Sequence, residues 1–257
     1  MTAPGEAVLI VAHYQRRAPR GELGGQRLQF VKGRHGAYVA LSAIDLEAST
    51  GPVRLRLDLE GKEGRPYLWS SEVEVSSKAF PMEKLEVEGK YVRPPVEDER
   101  RAAREARILK RLFAETTAKP LFSGAFASPI PGALSARFGE RRVFNGVPKA
   151  PHTGADLRAK AGTPVRAPAG GRVVLAEDLF YSGNTVILDH GLGLYTLYAH
   201  LSRMDVKQGQ TVKRGQRLGL VGATGRVTGP HLHWAARLRG ARVDPYSLTA
   251  LPLGRYL

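Results

Sequence analysis

Cysteine is absent from the 257 residues, which excludes disulfides, thiolate zinc sites and a cysteine nucleophile and leaves the redox compartment open. No apolar run approaches the ~18 residues of a membrane-spanning helix, so no transmembrane segment is expected. The start, Met1-Thr2-Ala3-Pro4-Gly5-Glu6, lacks the basic and apolar regions of a signal peptide. Val8-Leu9-Ile10-Val11-Ala12 is too short for one and reads as a strand. The chain is then either cytosolic or begins after signal cleavage. Acidic residues are scarce in the second half. Residues 121–257 hold 18 Lys+Arg against 7 Asp+Glu, a surplus of +11, whereas residues 1–120 hold 21 against 17. A basic surface favours an anionic polymer, whether nucleic acid, acidic cell-wall material or lipid headgroups, or else serves solubility alone.

What is present is enough apolar residue, 42%, for a packed core rather than wholesale disorder. Strands are expected at 7–13, 27–31, 37–44, 53–59, 67–75 and 82–87. Several alternate, as in Val53-Arg54-Leu55-Arg56-Leu57-Asp58-Leu59, and glycines punctuate them. Short strands at this spacing suggest an immunoglobulin-like β sandwich over residues 1–93. Pro94-Pro95 closes it. Residues 96–117 are dense in Glu, Arg, Ala and Leu, acids first and bases after, as a helix dipole prefers. Ala102, Ala106, Leu109 and Phe113 recur at helical spacing, so 94–119 reads as a linking helix. It is either a spacer or a helix that lies on, or gates, the second half. From residue 120 the chain turns to β again, with hairpins about Asn145-Gly146, His190–Gly193 and Gly215 and no further long helix. The fold class is mainly β, ending in an antiparallel domain with an open groove.

Three blocks stand out in that second half. In Pro230-His231-Leu232-His233-Trp234 two histidines stand two apart in a strand, so both imidazoles face one side. In His152-Thr153-Gly154-Ala155-Asp156-Leu157, Pro151 and Gly154 argue against a helix, and a turn runs into a strand. Tyr198-Ala199-His200-Leu201 closes an apolar run, placing His200 at a strand end. Two imidazoles and a carboxylate form a three-ligand set with room for water or substrate. His13 and His35 have no ligand pattern around them and read as structural or surface residues. His190, between Asp189 and Gly191, reads as a turn residue.

Taken together, His152-x-x-x-Asp156, Tyr198-Ala199-His200-Leu201 and His231-x-His233 resemble the three motifs of the lysostaphin/LytM-type zinc endopeptidases. The resemblance covers roughly residues 123–248. It implies that 120–257 is a metallopeptidase domain binding one zinc ion per chain. His152, Asp156 and His233 match the zinc ligands, and His200 and His231 match the two catalytic histidines. It implies a peptidoglycan substrate, cleaved at a peptide cross-link, and a periplasmic or envelope location reached after signal cleavage. No glutamate stands beside a ligand pair, so the histidines must carry the protons. Which of the two is the base stays open, as does oligomeric state.

Three rival readings come from other classes. A non-catalytic wall-binding or amidase-activating protein on the same fold would have lost ligands, yet all five positions are filled. A non-haem iron oxygenase also uses two His and one carboxylate, but leaves His200 and His231 without a role. A nucleic-acid binder explains the charge and leaves the histidine pattern to chance, so no specific nucleic-acid partner is expected.

Overall fold

The computed structural model describes residues 1–86, 95–148 and 150–257, and for Lys62, Leu85, Arg142 and Phe144 the backbone alone. Strands β1 (Ala7–Ala12), β4 (Val31–Lys32) and β5 (Tyr38–Ala43) form one sheet in the order β1-β5-β4. Strands β2 (Arg20–Leu23), β3 (Gln26–Arg27), β6 (Gly51–Glu60) and β7 (Pro66–Val75) form another, ordered β3-β2-β6-β7. The expected strand at 27–31 is therefore split. Its two ends belong to different sheets, and Leu28 between them is buried in the core that the sheets share. The strand at Arg20–Leu23 was not expected from the sequence. The expected strand end at Val87 and the domain boundary at 93/94 lie outside the described residues.

Strands β1 and β5 explain themselves once both their faces are considered. Ala-Val-Leu-Ile-Val-Ala and Tyr-Val-Ala-Leu-Ser-Ala do not alternate apolar with polar, because neither face meets water. Ile10, Ala40 and Ile44 join Leu23, Leu55, Leu57 and Val75 in one core. Ala7, Val39 and Leu41 point the other way, into a core with Phe122, Phe126, Leu192, Leu194, Leu238 and Leu248. The three-stranded sheet is thus sandwiched between the four-stranded sheet and the second half of the chain. Polar contacts tie the same seam. The Asp244 N–H donates to the Gly5 carbonyl at 2.7 Å, and the Arg242 N–H and Nε both donate to Asp45 Oδ2.

The second half is built on a ten-stranded antiparallel sheet. Its main path runs β17-β14-β15-β16-β19-β12-β9 through Thr211–Val212, Gly171–Leu179, Gly183–Asp189, Leu194–Met204, His231–Leu238, Gly154–Arg158 and Leu134–Ala136. Strand β20 (Ala241–Val243) pairs with β19. Strands β13 (Pro164–Arg166) and β18 (Arg217–Val221) lie off that path. The hairpin expected about Gly215 does not form. β17 pairs with β14, while β18 pairs with β13 and β16. A small third sheet joins β10 (Arg141–Phe144) to β11 (Val147–Pro148) through Asn145-Gly146, both at positive φ. In it β8 (Met82–Leu85) runs parallel to β10.

One face of the large sheet carries the core of Leu157, Val186, Leu188, Tyr198, Leu232 and Trp234. The other face is half covered by helix α1 (Val96–Ala114). Leu109, Leu112 and Phe113 sit on Leu175, Leu179, Ile187 and Tyr195. The contact stripe runs along that side of the helix, leaving Ala106 exposed. Arg101 binds Glu105 and Asp178, and the Glu105 carboxylate accepts from the Phe180 N–H at 2.8 Å. Arg237 lies over the Phe113 ring. The helix is therefore docked along its length.

His190, in the turn between β15 and β16, is wholly buried. Its Nδ1–H donates to the Gly170 carbonyl at 2.6 Å, and its Nε2 meets Thr196 Oγ1 at 2.7 Å. Burial pushes its pKa down to about 4. As pH falls, the unfolded chain, with histidine near ~6.5, takes up this proton first. The stability held by neutral His190 is whole above pH ~6.5, is lost on descent to pH ~4, and changes no further below. At pH 5 the expected loss is about 2 kcal/mol. Denaturant titrations at pH 7.5 and 5 should show the wild type losing that much more stability than His190→Gln. Equal losses would exclude a titrating buried imidazole.

Candidate metal and catalytic site

The ladder between β12 and β19 sets the site. Asp156 pairs with His233 and Arg158 with His231, while Leu157 pairs with Leu232 between them. Paired residues share a face, so Asp156, His231 and His233 stand together and Leu157, Leu232 and Trp234 enter the core behind. Gly154, opposite Ala235, has no side chain for a reason. A Cβ there would come 2.7 Å from His233 Cε1 and 2.8 Å from Nε2, so the ring could not occupy its place.

His152 arrives from the loop before β12. Its N–H donates to the Glu140 carbonyl, and its own carbonyl accepts from the Gly139 N–H, both at 2.8 Å. Its Nδ1 faces the Arg137 carbonyl at 3.0 Å. A carbonyl only accepts, so Nδ1 carries the proton and Nε2 offers a lone pair inward. That Nε2 lies 3.0 Å from Asp156 Oδ1 and 3.0 Å from His233 Nδ1, which is itself 2.8 Å from Asp156 Oδ1. Two ring nitrogens and a carboxylate oxygen thus converge on one point, the donor set of a cation. Among the described residues no other group of three His, Cys, Asp or Glu side chains converges in this way.

His200 does not end its strand, as expected, but sits within β16, which runs on to Met204. By alternation Ala199, paired with His233, would face the site and His200 would turn away. A bulge reverses that. The β15–β16 register slips between Asn184 and Val186, and His200 adopts φ 63°, a left-handed conformation that is costly for a side-chain-bearing residue. The His200 N–H is held by the Ser182 carbonyl at 2.8 Å. Its ring then lies 4.8 Å from that of His231 and 6.0 Å from that of His233, centroid to centroid. The loop after β18 completes the support. The Thr224 carbonyl accepts from His200 Nδ1–H at 2.9 Å, while the Thr224 hydroxyl donates to the Leu201 carbonyl and accepts from the Asn184 N–H. Thr224 carried no signal in the sequence beyond lying in a turn.

His231 Nδ1–H donates to the Gly229 carbonyl at 2.9 Å, and its Nε2 faces Asp156 Oδ2 at 3.8 Å. The five residues singled out in the sequence are therefore brought together. His13 and His35 are exposed elsewhere, and His190 lies behind the sheet. Burial works to raise the Asp156 pKa, yet the neighbouring His152 and His233 rings outweigh it and hold the carboxyl well below the usual range. Burial also lowers the pKa of His233, and that of His200 to about 4. The His233 ring is thus kept neutral, which is the state that binds a metal.

Comparison with known proteins points the same way. The pattern of Peptidase family M23 matches residues 150–245, which include all five residues. The peptidoglycan DD-endopeptidase ShyA of Vibrio cholerae is 46% identical over 112 residues, 43% of this chain and 26% of that protein. The DD-carboxypeptidase/endopeptidase Mpg of Neisseria meningitidis is 50% identical over 101 residues, 39% of this chain and 23% of that protein. The matched region spans about a quarter of the length of these curated relatives. A crystal structure of a candidate M23 peptidase from Pseudomonas aeruginosa aligns over 97% of this chain and 95% of that one, with a TM-score of 0.73 and 33% identity. Since that likeness runs through both halves and the helix between them, and the family pattern encloses the whole convergent histidine–aspartate cluster, the chain belongs to peptidase family M23.

Proposed function

We propose that the protein is a zinc-dependent endopeptidase that hydrolyses peptide cross-links of bacterial peptidoglycan in the periplasm or cell envelope. The observation carrying this reading is the convergence of His152 Nε2, Asp156 Oδ1 and His233 Nδ1 within 3.0 Å of one another, beside two further histidines. Those three atoms would hold one zinc ion per chain, with a neutral nitrogen pair and one carboxylate leaving further coordination positions open. Zinc in such a set acidifies water and polarises a carbonyl. The names of the relatives, DD-endopeptidase and DD-carboxypeptidase/endopeptidase, support a bond between D-residues of the wall peptide.

The chain's own residues account for the proton transfers. His231 and His200 both give their Nδ1 protons to backbone carbonyls, so both turn a basic Nε2 away from those carbonyls. His231 is the more exposed of the two and faces Asp156. It takes a proton from water and returns it to the leaving amine. His200, fixed by its bulge and by Thr224, orients the water. The docked helix α1 walls the same sheet face.

The rival reading is a wall-binding or amidase-activating protein without catalysis. Elemental analysis of the purified chain, followed by digestion of sacculi and separation of muropeptides, decides between them. The expected result is about one zinc per chain and conversion of cross-linked dimers to monomers, abolished by chelation. Zinc-loaded protein that binds sacculi and leaves dimers intact would favour the rival.

A further inference from the structure

Arg158 is the one charged residue on the β12–β19 ladder that the proposed chemistry leaves unused. It pairs with His231 as Asp156 pairs with His233, so its side chain rises on the histidine face. Cβ atoms of residues so paired are about 4.5–5.5 Å apart. It is exposed, and among the described residues its guanidinium has no carboxylate partner, unlike Arg101, Arg203, Arg217 and Arg242. Arg237, on the same strand face as His233, is engaged with Phe113. Asp156, two residues before Arg158, is committed to His152 and His233.

The base of Arg158 is rigid. Its N–H donates to the Ala133 carbonyl at 2.9 Å, and Gly132 lies so close to its own carbonyl that a Cβ there would come within 2.9 Å. The guanidinium at the end of this anchored residue offers a planar fork that matches a carboxylate with two parallel hydrogen bonds. Its position beside His231 says where that carboxylate sits. His231 protonates the leaving amine, and an α-carboxylate carbon lies only about 2.5 Å from its own amine nitrogen, two bonds away.

We infer that Arg158 is a specificity residue that binds a free α-carboxylate on the amine side of the scissile bond. The site thereby selects wall peptides carrying that carboxylate over amidated or glycyl bridges. This rests on the hydrolase reading above and goes beyond it by naming the recognised group.

The test compares the zinc-loaded 257-residue protein with its Arg158→Gln and Arg158→Lys variants. Two synthetic cross-linked D-alanyl peptides serve as substrates, identical except that the amine-side residue carries a free α-carboxylate in one and a carboxamide in the other. The wild type should favour the carboxylate by about 10- to 100-fold in kcat/KM, the worth of a charge-assisted pair. The preference should lie in KM, as for binding shared by ground and transition states. Arg158→Gln should lose it while cleaving the carboxamide as before, and Arg158→Lys should fall between. A wild type that cleaves both alike, or an Arg158→Gln chain slowed equally on both, overturns the assignment. Calorimetric binding of both peptides to the zinc-free protein separates this from the fate of the hydrolase reading. Carboxylate-selective binding that needs Arg158, without hydrolysis, keeps the subsite and removes the enzyme. Hydrolysis without selectivity does the reverse.

Discussion

Asp156→Ala is expected to lose its zinc and its activity together, and so are His152→Ala and His233→Ala. Each removes one of three converging donor atoms, and no neighbouring donor in the described cluster replaces it. Asp156 carries the only formal negative charge in the set, so Asp156→Asn should lose metal as well, although its shape is kept. His231→Ala and His200→Ala leave the three donors in place. Both should retain about one zinc per chain while activity falls by ~10²–10⁴-fold, the usual contribution of a general acid–base group. Added zinc should partly restore a ligand variant and should not restore His231→Ala. Zinc content by elemental analysis, beside cross-link hydrolysis, reads all of these. Loss of metal in His231→Ala with retention in His233→Ala would reverse the roles within that pair. Full activity in every variant would move the chemistry elsewhere.

A chain cut back to residues 120–257 is expected to lose on the order of 5 kcal/mol and to associate through the surface it exposes. The reason is the shared core. Leu194, Ala236 and Leu238 of the large sheet, with Leu192 in the turn before β16, are covered by Ala7, Val39 and Leu41 of the first half, and Leu175, Ile187 and Tyr195 by α1. Burying a large aliphatic side chain is worth about 1.5–3 kcal/mol, so uncovering several approaches the whole stability of a typical domain. In the full chain, Leu41→Asp should reproduce part of the loss without removing any residue of the site. Thermal unfolding and sedimentation of the two proteins check this. A monomeric 120–257 chain with unchanged melting temperature would show that the first half is an independent attachment. It would also restore the simple form of the gating idea, in which removing residues 1–119 opens the groove at no cost to the fold.

The same shared core explains what was hard to see in the sequence. The alternation in β6 is visible because its outer face meets water, and the expected strand at 53–59 lies within Gly51–Glu60. β1 and β5 have two buried faces and no alternation, so nothing local says that a second layer packs on them. The stretch 27–31 looked like one strand because its residues suit β structure. Which sheet each end joins depends on partners distant in sequence.

By itself, the sequence determined that any metal here is held by nitrogen and oxygen, since there is no cysteine. It also determined that His231 and His233 share a face, because strand periodicity is a property of the backbone alone. Glycine and proline marked the turns, and the charge pattern marked the helix. Tertiary structure decided the rest. It turned His200 toward the site through a bulge that exists only in the register between β15 and β16, against the alternation its neighbours would impose. It sent His190 behind the sheet to Gly170 and Thr196, and it laid α1 on the histidine face rather than in solvent. Each of these turns on which surfaces meet across long sequence separations, and local preference, whether for strand, turn or helix, carries no record of that.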